Sequence, residues 1–213
     1  MMQKIIKRVV ITVLFTFVFS QLVYASDELQ SGLDALNNED YALALEILQP
    51  LSDAGNADAQ YALGSMYGTG KGVERDRARS FELISKSADQ GNLDAMERYV
   101  AGYAFMPGAD DAEVDAAIER GLQLYTQEAD KGNTKAMVKL GGMHEMGFGF
   151  DESQDEAIAW YKKAAELGDV SAQLKLGQLF MAGVGGDKED ARAWFEKAAA
   201  QGSEAAVDYL DML

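Results

Sequence analysis

The sequence contains no cysteine, one histidine and two prolines among its 213 residues. Without cysteine the chain has no disulfide, no thiolate ligand for zinc, no thiol nucleophile and no thiol that could carry a lipid anchor. A single histidine leaves little scope for imidazole chemistry. These absences exclude several common classes of catalytic and metal site before any motif is considered.

Basic residues are also few, since 19 Lys and Arg stand against 35 Asp and Glu and give a formal net charge of −16 at pH 7. A chain of this sign repels nucleic-acid phosphates and anionic lipid surfaces. We therefore expect no nucleic-acid partner, and we interpret the acidity as a solvated helical surface rather than a cation-binding face. Because 48% of the residues are hydrophobic, the chain can bury a core and should fold.

The first 25 residues differ in composition from the rest of the chain. They hold three basic residues and no acidic one, followed by an apolar run over residues 9–19. The run is short for a membrane span, and Val23 and Ala25 place small residues at the two positions that a signal peptidase recognises. We predict a secretory signal peptide at residues 1–25, cleaved after Ala25, with an uncleaved anchor as the alternative. Cleavage would leave no stable membrane anchor and an exported protein, periplasmic or secreted.

In the remainder of the chain, a glycine followed by Asn, Asp or Ser recurs at five nearly evenly spaced positions. The glycines step by 36, 41, 36 and 34 residues, and such periods are typical of solenoids built from helical hairpins. Glycine tolerates the left-handed conformation that closes a helix, and the next side chain can accept a backbone N–H that opens the following helix. We therefore predict a helix-to-helix corner at Gly55-Asn56, Gly91-Asn92, Gly132-Asn133, Gly168-Asp169 and Gly202-Ser203.

Small and bulky residues alternate around these corners at helical spacing. An alanine follows each polar corner residue by three positions, and three units then carry a Leu-Gly pair such as Leu140-Gly141. In the second helices, Trp160 and Trp194 each stand five residues before an alanine. Each hairpin thus has one face with protruding bulky side chains (knobs) and one face with small residues (dents). We therefore expect neighbouring hairpins to stack.

These motifs resemble those of the Sel1-like repeat family, a relative of the tetratricopeptide repeats. The resemblance implies an all-α fold, a right-handed α-solenoid of Sel1-like helical hairpins, and we expect about eleven helices. In the first full unit it rests on Ala59, Leu63, Gly64, Tyr67, Gly70, Gly72, Val73 and Asp76. In the second helix of a later unit it rests on Ala157, Trp160, Tyr161, Lys163, Ala164, Ala165 and Gly168.

We place the repeat domain at residues 26–213. Two local features depart from the pattern. Val100-Ala101 stands where other units have Leu-Gly, and residues 106–111 replace the Gly-x-Gly-Val turn, which makes that unit five residues longer. Pro50 falls inside a predicted helix and should kink it or end it early. The expected hairpins lie at approximately 27–55, 56–91, 92–132, 133–168 and 169–202, with a C-terminal capping helix at 203–213.

Two short motifs could be mistaken for ligand sites. The glycines around Lys71 suggest a phosphate loop, but Lys71 is followed by glycine instead of Ser or Thr and no strand precedes it. Residues 151–155 suggest a calcium loop, but Glu156 stands where the sharp-turn glycine belongs and Lys162 where the bidentate acid belongs. We interpret the first as a turn that needs glycine and reject the second as a calcium site.

Met143, His144 and Met146 form the sharpest candidate for a metal site, because thioethers and imidazole suit a soft copper ion. However, His144 stands in the register occupied by Tyr67 and Phe180 in other units, and methionine commonly fills irregular core gaps. We therefore predict no metal and no cofactor.

No catalytic constellation remains once the repeats are assigned, so we predict that the protein is not an enzyme. The resemblance implies a scaffold, and we expect a non-enzymatic exported adaptor that mediates protein–protein interactions through the concave surface of the solenoid. The alternative is an exported hydrolase or a protein that binds cell-wall peptidoglycan or β-lactams, although the paired cysteines of such relatives are absent. Metal handling through His144 is a third possibility. The identity of the protein partner and the oligomeric state stay open.

In related helical-repeat proteins the first helix of each hairpin lines the concave surface. Applied to this chain, that arrangement predicts a set of side chains on one helical face with no common chemistry, which is typical of recognition grafted on a fixed scaffold. For any single member the alternative is a solvated face. The predicted groove consists of Asp58, Tyr61, Ser65, Asp94, Arg98, Lys135, Val138, Glu145, Leu174 and Gln178.

Overall fold

The computed structural model describes residues 26–104 and 111–213, and within these ranges the chain forms eleven helices and no strand. The prediction of an all-α fold with about eleven helices is confirmed. The chain divides into two compact units, one ending at Ala95 and the other beginning at Met96. The helices are α1 (residues 26–37), α2 (Tyr41–Asp53), α3 (Ala57–Thr69), α4 (Arg77–Asp89), α5 (Leu93–Ala104), α6 (Asp111–Asp130), α7 (Thr134–Met146), α8 (Gln154–Glu166), α9 (Val170–Met181), α10 (Lys188–Ala200) and α11 (Glu204–Met212).

Two predictions concern residues outside the described ranges. The signal peptide at residues 1–25 is one of them, and the long turn at 106–111 is the other, apart from its last residue. In the part of the chain that the structure describes, no helix combines the length and the apolar character that a membrane crossing requires.

The five predicted corners are confirmed. Their glycines adopt φ values between 89° and 94°, in the left-handed region. The polar residue that follows each glycine accepts a hydrogen bond, 2.8 to 3.3 Å long, from the backbone N–H of the alanine three positions later. A motif of two residues therefore ends one helix and caps the start of the next. The alanines that donate these bonds are all fully buried: Ala59, Ala95, Ala136, Ala172 and Ala206.

Pro50 does not end its helix early, so that part of the prediction is wrong. The α2 helix continues three residues beyond Pro50 to Asp53. The carbonyl oxygen of Pro50 accepts a hydrogen bond from the N–H of Ala54 at 3.0 Å, and Asn56 N–H donates to Leu51 O at 3.0 Å. Because the proline lies in the last turns, it removes one backbone donor while the corner bonds hold the end of the helix.

Side chains of the first four helices form the core of the unit that ends at Ala95. The glycine of its Leu-Gly pair allows α3 and α4 to approach closely, since a Cβ at Gly64 would lie 3.0 Å from Ile84 Cγ1 and 3.1 Å from the backbone oxygen of Ser80. The fully or nearly fully buried core residues are Ala35, Ala44, Leu48, Ala59, Ala62, Leu63, Met66 and Leu83.

Two aromatic rings fill the corresponding dents in the unit that begins at Met96. A Cβ at Gly141 would lie 2.5 Å from Tyr161 Cε1, and a Cβ at Gly177 would lie 2.4 Å from Phe195 Cε1. Tyr161 is 1% exposed and Phe195 is fully buried. The predicted knob-and-dent packing is therefore present, with the ring of one helix seated on the backbone of its partner.

The knobs are not the tryptophans to which the sequence pattern pointed. Trp160 and Trp194 are only half-buried, one residue before the buried rings. The Nζ atom of Lys163 lies 3.9 Å from the ring centroid of Trp160, and that of Lys197 lies 3.8 Å from the centroid of Trp194. The tryptophans thus form cation–π contacts at the edge of the packing face.

The hairpin of α5 and α6 reverses the positions of knob and dent. Counted five residues from its capping alanine, Val100 takes the place of the glycine, so the assignment of Ala101 to that place is wrong. The second helix supplies the dent instead, because a Cβ at Gly121 would lie 2.3 Å from Val100 Cγ2. The exchange preserves a close helix contact although the Leu-Gly pair is missing.

Candidate functional site

A cavity of about 850 Å³ lies in the unit that begins at Met96. Helix α7 supplies six of its fourteen lining residues, and α5, α6, α8, α9 and the turn after α7 supply the rest. Val100, Tyr125 and Tyr161 are buried and form its floor. Each floor residue comes from a different helix, so the cavity depends on the stacking of hairpins rather than on one of them.

The walls of the cavity are mainly apolar. Val138 and Met143 line it from α7, and Phe148 lines it from the following turn. Met146, at the end of α7, also lines it and is 73% exposed. An exposed methionine beside a concave apolar surface offers an adaptable contact to a partner, because its side chain is unbranched and polarizable.

Two ion pairs stand among the lining residues. Lys139 Nζ lies 2.5 Å from Glu97 Oε2, and Lys175 Nζ lies 3.2 Å from Glu145 Oε2. The side chains of Lys139 and Glu97 are 46% and 58% exposed, so solvent screens their pair and its contribution to stability is about 0–1 kcal/mol. Each charged side chain at the mouth of the cavity is thus paired with an opposite charge from the same chain.

Tyr161 links the floor of the cavity to one of these ion pairs. Its hydroxyl donates a hydrogen bond to Glu145 Oε2 at 2.8 Å. Burial, and after it the hydrogen bond and negative charge of Glu145, raise the pKa of the Tyr161 hydroxyl well above its ordinary value. The hydroxyl therefore stays a neutral donor throughout the physiological pH range.

The lining holds few of the side chains that catalytic sites commonly use. None of the lining residues is Ser, Thr, Cys or His, and the two carboxylates among them are each held by a lysine. Across the described residues no group of three or more His, Cys, Asp or Glu side chains is arranged to hold a metal ion. The ring of His144 stacks on Phe150 with centroids 3.9 Å apart and an interplanar angle of 9°.

Two of the ten predicted groove residues line this cavity, namely Val138 and Glu145. The structure does not bring the other eight into it. In the unit that begins at Met96, Gln178 donates to Tyr209 Oη at 2.8 Å. Lys135 and Arg98 are exposed there, and Leu174 is half-buried.

The remaining predicted groove residues belong to the unit that ends at Ala95. Asp58 is exposed and accepts a hydrogen bond from Asn92 Nδ2 at 2.7 Å. Tyr61 and Ser65 are half-buried on α3, and Asp94 is exposed at the start of α5. Within this unit the predicted residues lie on the first helices of their hairpins, α3 and α5.

Sequence reasoning missed most of the cavity. Lys139 and Lys175 each follow a predicted groove residue by one position, and Tyr125 and Phe148 come from a second helix and a turn that the groove prediction omitted. One signal was present. Gly142 is a second glycine directly after the Leu-Gly pair, at a position that other repeats fill with a side chain.

A family model for the Sel1 repeat matches residues 57–92, 97–133, 134–169 and 170–203. The chain therefore belongs to the Sel1 repeat family, and the predicted family is confirmed. Proteins built from these repeats generally act as scaffolds or adaptors in protein interactions.

The curated relatives include proteins named as a regulator and as a binding protein. The chain is 30% identical over 160 residues to the chitin synthase regulator SKT5 of Saccharomyces cerevisiae, an alignment that covers 72% of the chain and 22% of that protein. It is 30% identical over 184 residues to DAP3-binding cell death enhancer 1 of Mus musculus, covering 85% of the chain and 35% of that protein. The chain thus spans about a third or less of these relatives.

Solved structures show the same fold. A Sel1 repeat protein from Oxalobacter formigenes superposes with a TM-score of 0.63 at 25% identity, covering 85% of the chain and 73% of that protein. The immunity protein Pa5087 of Pseudomonas aeruginosa superposes with a TM-score of 0.53 at 20% identity, covering 85% and 67% respectively. These similarities establish the α-solenoid class of Sel1-like hairpins.

Proposed function

We propose that this protein is a non-enzymatic exported adaptor that binds a segment of another protein on the first helices of its repeats. The cavity on α7 carries the proposal, because it is a concave apolar surface whose two carboxylates are each paired with a lysine. That two relatives are named as a regulator and as a binding protein agrees with a role in protein interactions.

The proposed binding surface includes the predicted groove residues Asp58, Tyr61, Ser65, Asp94, Arg98, Lys135, Val138, Glu145, Leu174 and Gln178. Val138 and Glu145 are its best-supported members because both line the cavity. The lining residues include no Ser, Thr, Cys or His, so we propose a binding role rather than a hydrolase.

Site-specific crosslinking in the native cell tests the adaptor function. A photoreactive residue placed at Val138 or Leu174, on the first helices, should yield a discrete adduct with another protein. The matched control is Glu196, which is exposed on the second helix α10. Adducts from the groove positions that are absent at Glu196 are the expected result. No adduct from either groove position, or the same adducts from all three positions, would contradict the proposal.

Export is a separate element of the proposal and rests on the basic and apolar residues at 1–25. Cell fractionation followed by N-terminal sequencing tests it. We expect protein outside the cytoplasm with Ser26 as its first residue. Protein that keeps Met1 and stays in the cytoplasm would contradict export and leave the binding surface unaffected.

A further inference from the structure

The cavity on α7 has a counterpart on α9 that the chain fills itself. Counted from the capping alanines, Gly142 of α7 corresponds to Gln178 of α9. By the same count, Lys175, which lines the cavity from the following first helix, corresponds to Tyr209 of α11. The two sites can therefore be compared position by position.

An aromatic ring occupies the counterpart. Tyr209 stacks on Phe195 with ring centroids 4.8 Å apart and an interplanar angle of 9°. Gln178 Nε2 donates a hydrogen bond to the Tyr209 hydroxyl at 2.8 Å. An aromatic side chain thus lies against the buried ring of α10, and a polar group from α9 fixes its position.

The cavity lacks both of these filling side chains. A Cβ at Gly142 would meet no atom closer than Tyr161 Oη at 3.6 Å, so this position is open. Lys175 turns to Glu145 instead of covering the ring of Tyr161. Space remains beside a buried aromatic floor, as expected for a site that receives a ring from another molecule.

Gln154 adds an unused hydrogen-bond acceptor. It lines the cavity from the start of α8, and its Oε1 atom is buried with no donor from the described residues within reach. Buried acceptors are normally paired, so an N–H group on an occupant would satisfy this one. Tryptophan and histidine carry such a donor on their rings, and tryptophan combines it with a large apolar surface that suits an apolar cavity.

Negative charge near the cavity favours a partner segment in which basic residues flank the bound ring. Phe148 and Gln154 line the cavity, and exposed acids lie close to them along the chain, at Asp151, Glu152 and Asp155. Residues 96–213 hold 22 acidic and 11 basic side chains, a difference of −11. A field of this sign attracts basic segments and repels acidic ones.

We propose that the α7 cavity binds a tryptophan side chain of a partner protein within a segment that is rich in lysine and arginine. The proposal rests on the proposed adaptor function and names the chemistry of its partner. The indole ring would stack on Tyr161 and donate to Gln154, while the basic neighbours face the acids that follow Phe148.

Titration of the purified protein with capped pentapeptides tests this assignment. The probe is Ala-Lys-Trp-Arg-Ala, with Ala-Lys-Ala-Arg-Ala and Ala-Glu-Trp-Glu-Ala as controls, followed by amide chemical shifts and calorimetry. We expect each control to bind at least tenfold more weakly than the probe. Gly142→Gln should weaken the probe at least tenfold by occupying the cavity, whereas Ala193→Gln, at an exposed position of α10 outside the proposed binding surface, should change its affinity less than twofold.

Three results would overturn the assignment. They are equal binding of the alanine peptide, equal binding of the acidic peptide, and unchanged affinity in Gly142→Gln when circular dichroism shows that this variant is folded. Crosslinking from Val138 and Leu174 separates this failure from that of the adaptor function. Adducts that persist while the probe does not bind would refute the tryptophan assignment and leave the adaptor function standing.

Discussion

Tyr161 and Phe195 occupy the same position in α8 and α10, but their surroundings differ. Each ring seats on the glycine of a Leu-Gly pair in the preceding helix. Beyond that shared contact, the Tyr161 hydroxyl bonds to Glu145 beside an open cavity, whereas Phe195 is covered by the ring of Tyr209. The repeat therefore specifies the contact between ring and backbone, and it leaves the outer side of the ring free to vary.

This comparison separates two roles of the repeated hairpin. Glycine, alanine and the buried ring set the distance between helices and hence the fold. Side chains at the positions of Gly142 and Lys175 decide whether the groove is open or filled. Variation at such positions changes binding without changing the scaffold, since function depends on sites carried by a fold.

Removal of a buried ring should have the largest effect on stability. Phe195→Ala should lower the free energy of unfolding by about 3–5 kcal/mol because it leaves a large cavity against Gly177. Trp194→Ala, one residue earlier, removes a half-buried ring and should cost less than half as much. Urea denaturation of both variants measures the difference. A larger loss for Trp194→Ala would mean that the packing face is misassigned.

The adjacent glycines of α7 should respond to alanine with opposite signs. Gly141→Ala places a Cβ 2.5 Å from Tyr161 Cε1 and should destabilise the protein by about 1–3 kcal/mol. Gly142→Ala meets nothing closer than 3.6 Å and should stabilise it by about 0.5–1 kcal/mol through helix propensity. Thermal and urea unfolding of the pair checks both signs. Equal effects would show that Gly141 is not a point of close approach.

Tyr161→Phe gives α8 the residue type that α10 has at the same position, Phe195. It should cost about 1 kcal/mol, because one hydrogen bond to Glu145 is lost. The raised pKa of Tyr161 also has a consequence at alkaline pH. The stability that the protonated hydroxyl contributes is complete below the unfolded-state pKa of about 10 and is lost as pH rises above it.

Unfolding measured between pH 8 and 11 distinguishes the two proteins. Wild type should lose stability more steeply above about pH 10 than Tyr161→Phe. Identical slopes would indicate that the Tyr161 hydroxyl is not held by burial and by Glu145.

The ion pair of Lys139 and Glu97 should contribute least. Both side chains are about half exposed, so a double-mutant cycle of Lys139→Ala and Glu97→Ala should give a coupling energy of about 0.2–1 kcal/mol. The coupling should shrink further in 1 M salt, where the screening length is about 3 Å. A coupling that is larger and independent of salt would mean that the pair is buried in solution.

Local sequence patterns predicted the features that depend on neighbouring residues. The corner at Gly168-Asp169 needs only a left-handed glycine and a capping side chain, and both are visible in the sequence. Registers that depend on packing were harder to predict. The spacing of five residues to an alanine pointed to Trp160, although it is the ring of Tyr161 that packs against Gly141.

The cavity could not be predicted from one helix. Glu97 and Lys139 are 42 residues apart, and Phe148 reaches the cavity from a turn. Stacking of several hairpins brings these groups together. A pattern within one helix does not predict contacts between residues so far apart in the sequence. The extra glycine at position 142 was the local sign of an open site.

A crystal structure of the double variant Gly142→Gln/Lys175→Tyr tests most directly whether these two positions decide if the groove is open or filled. The variant transfers the α9 arrangement to α7. We expect the ring introduced at position 175 to stack on Tyr161, the introduced amide to donate to its hydroxyl, and the cavity of about 850 Å³ to close. An introduced ring that points to solvent above an unchanged cavity would contradict this expectation.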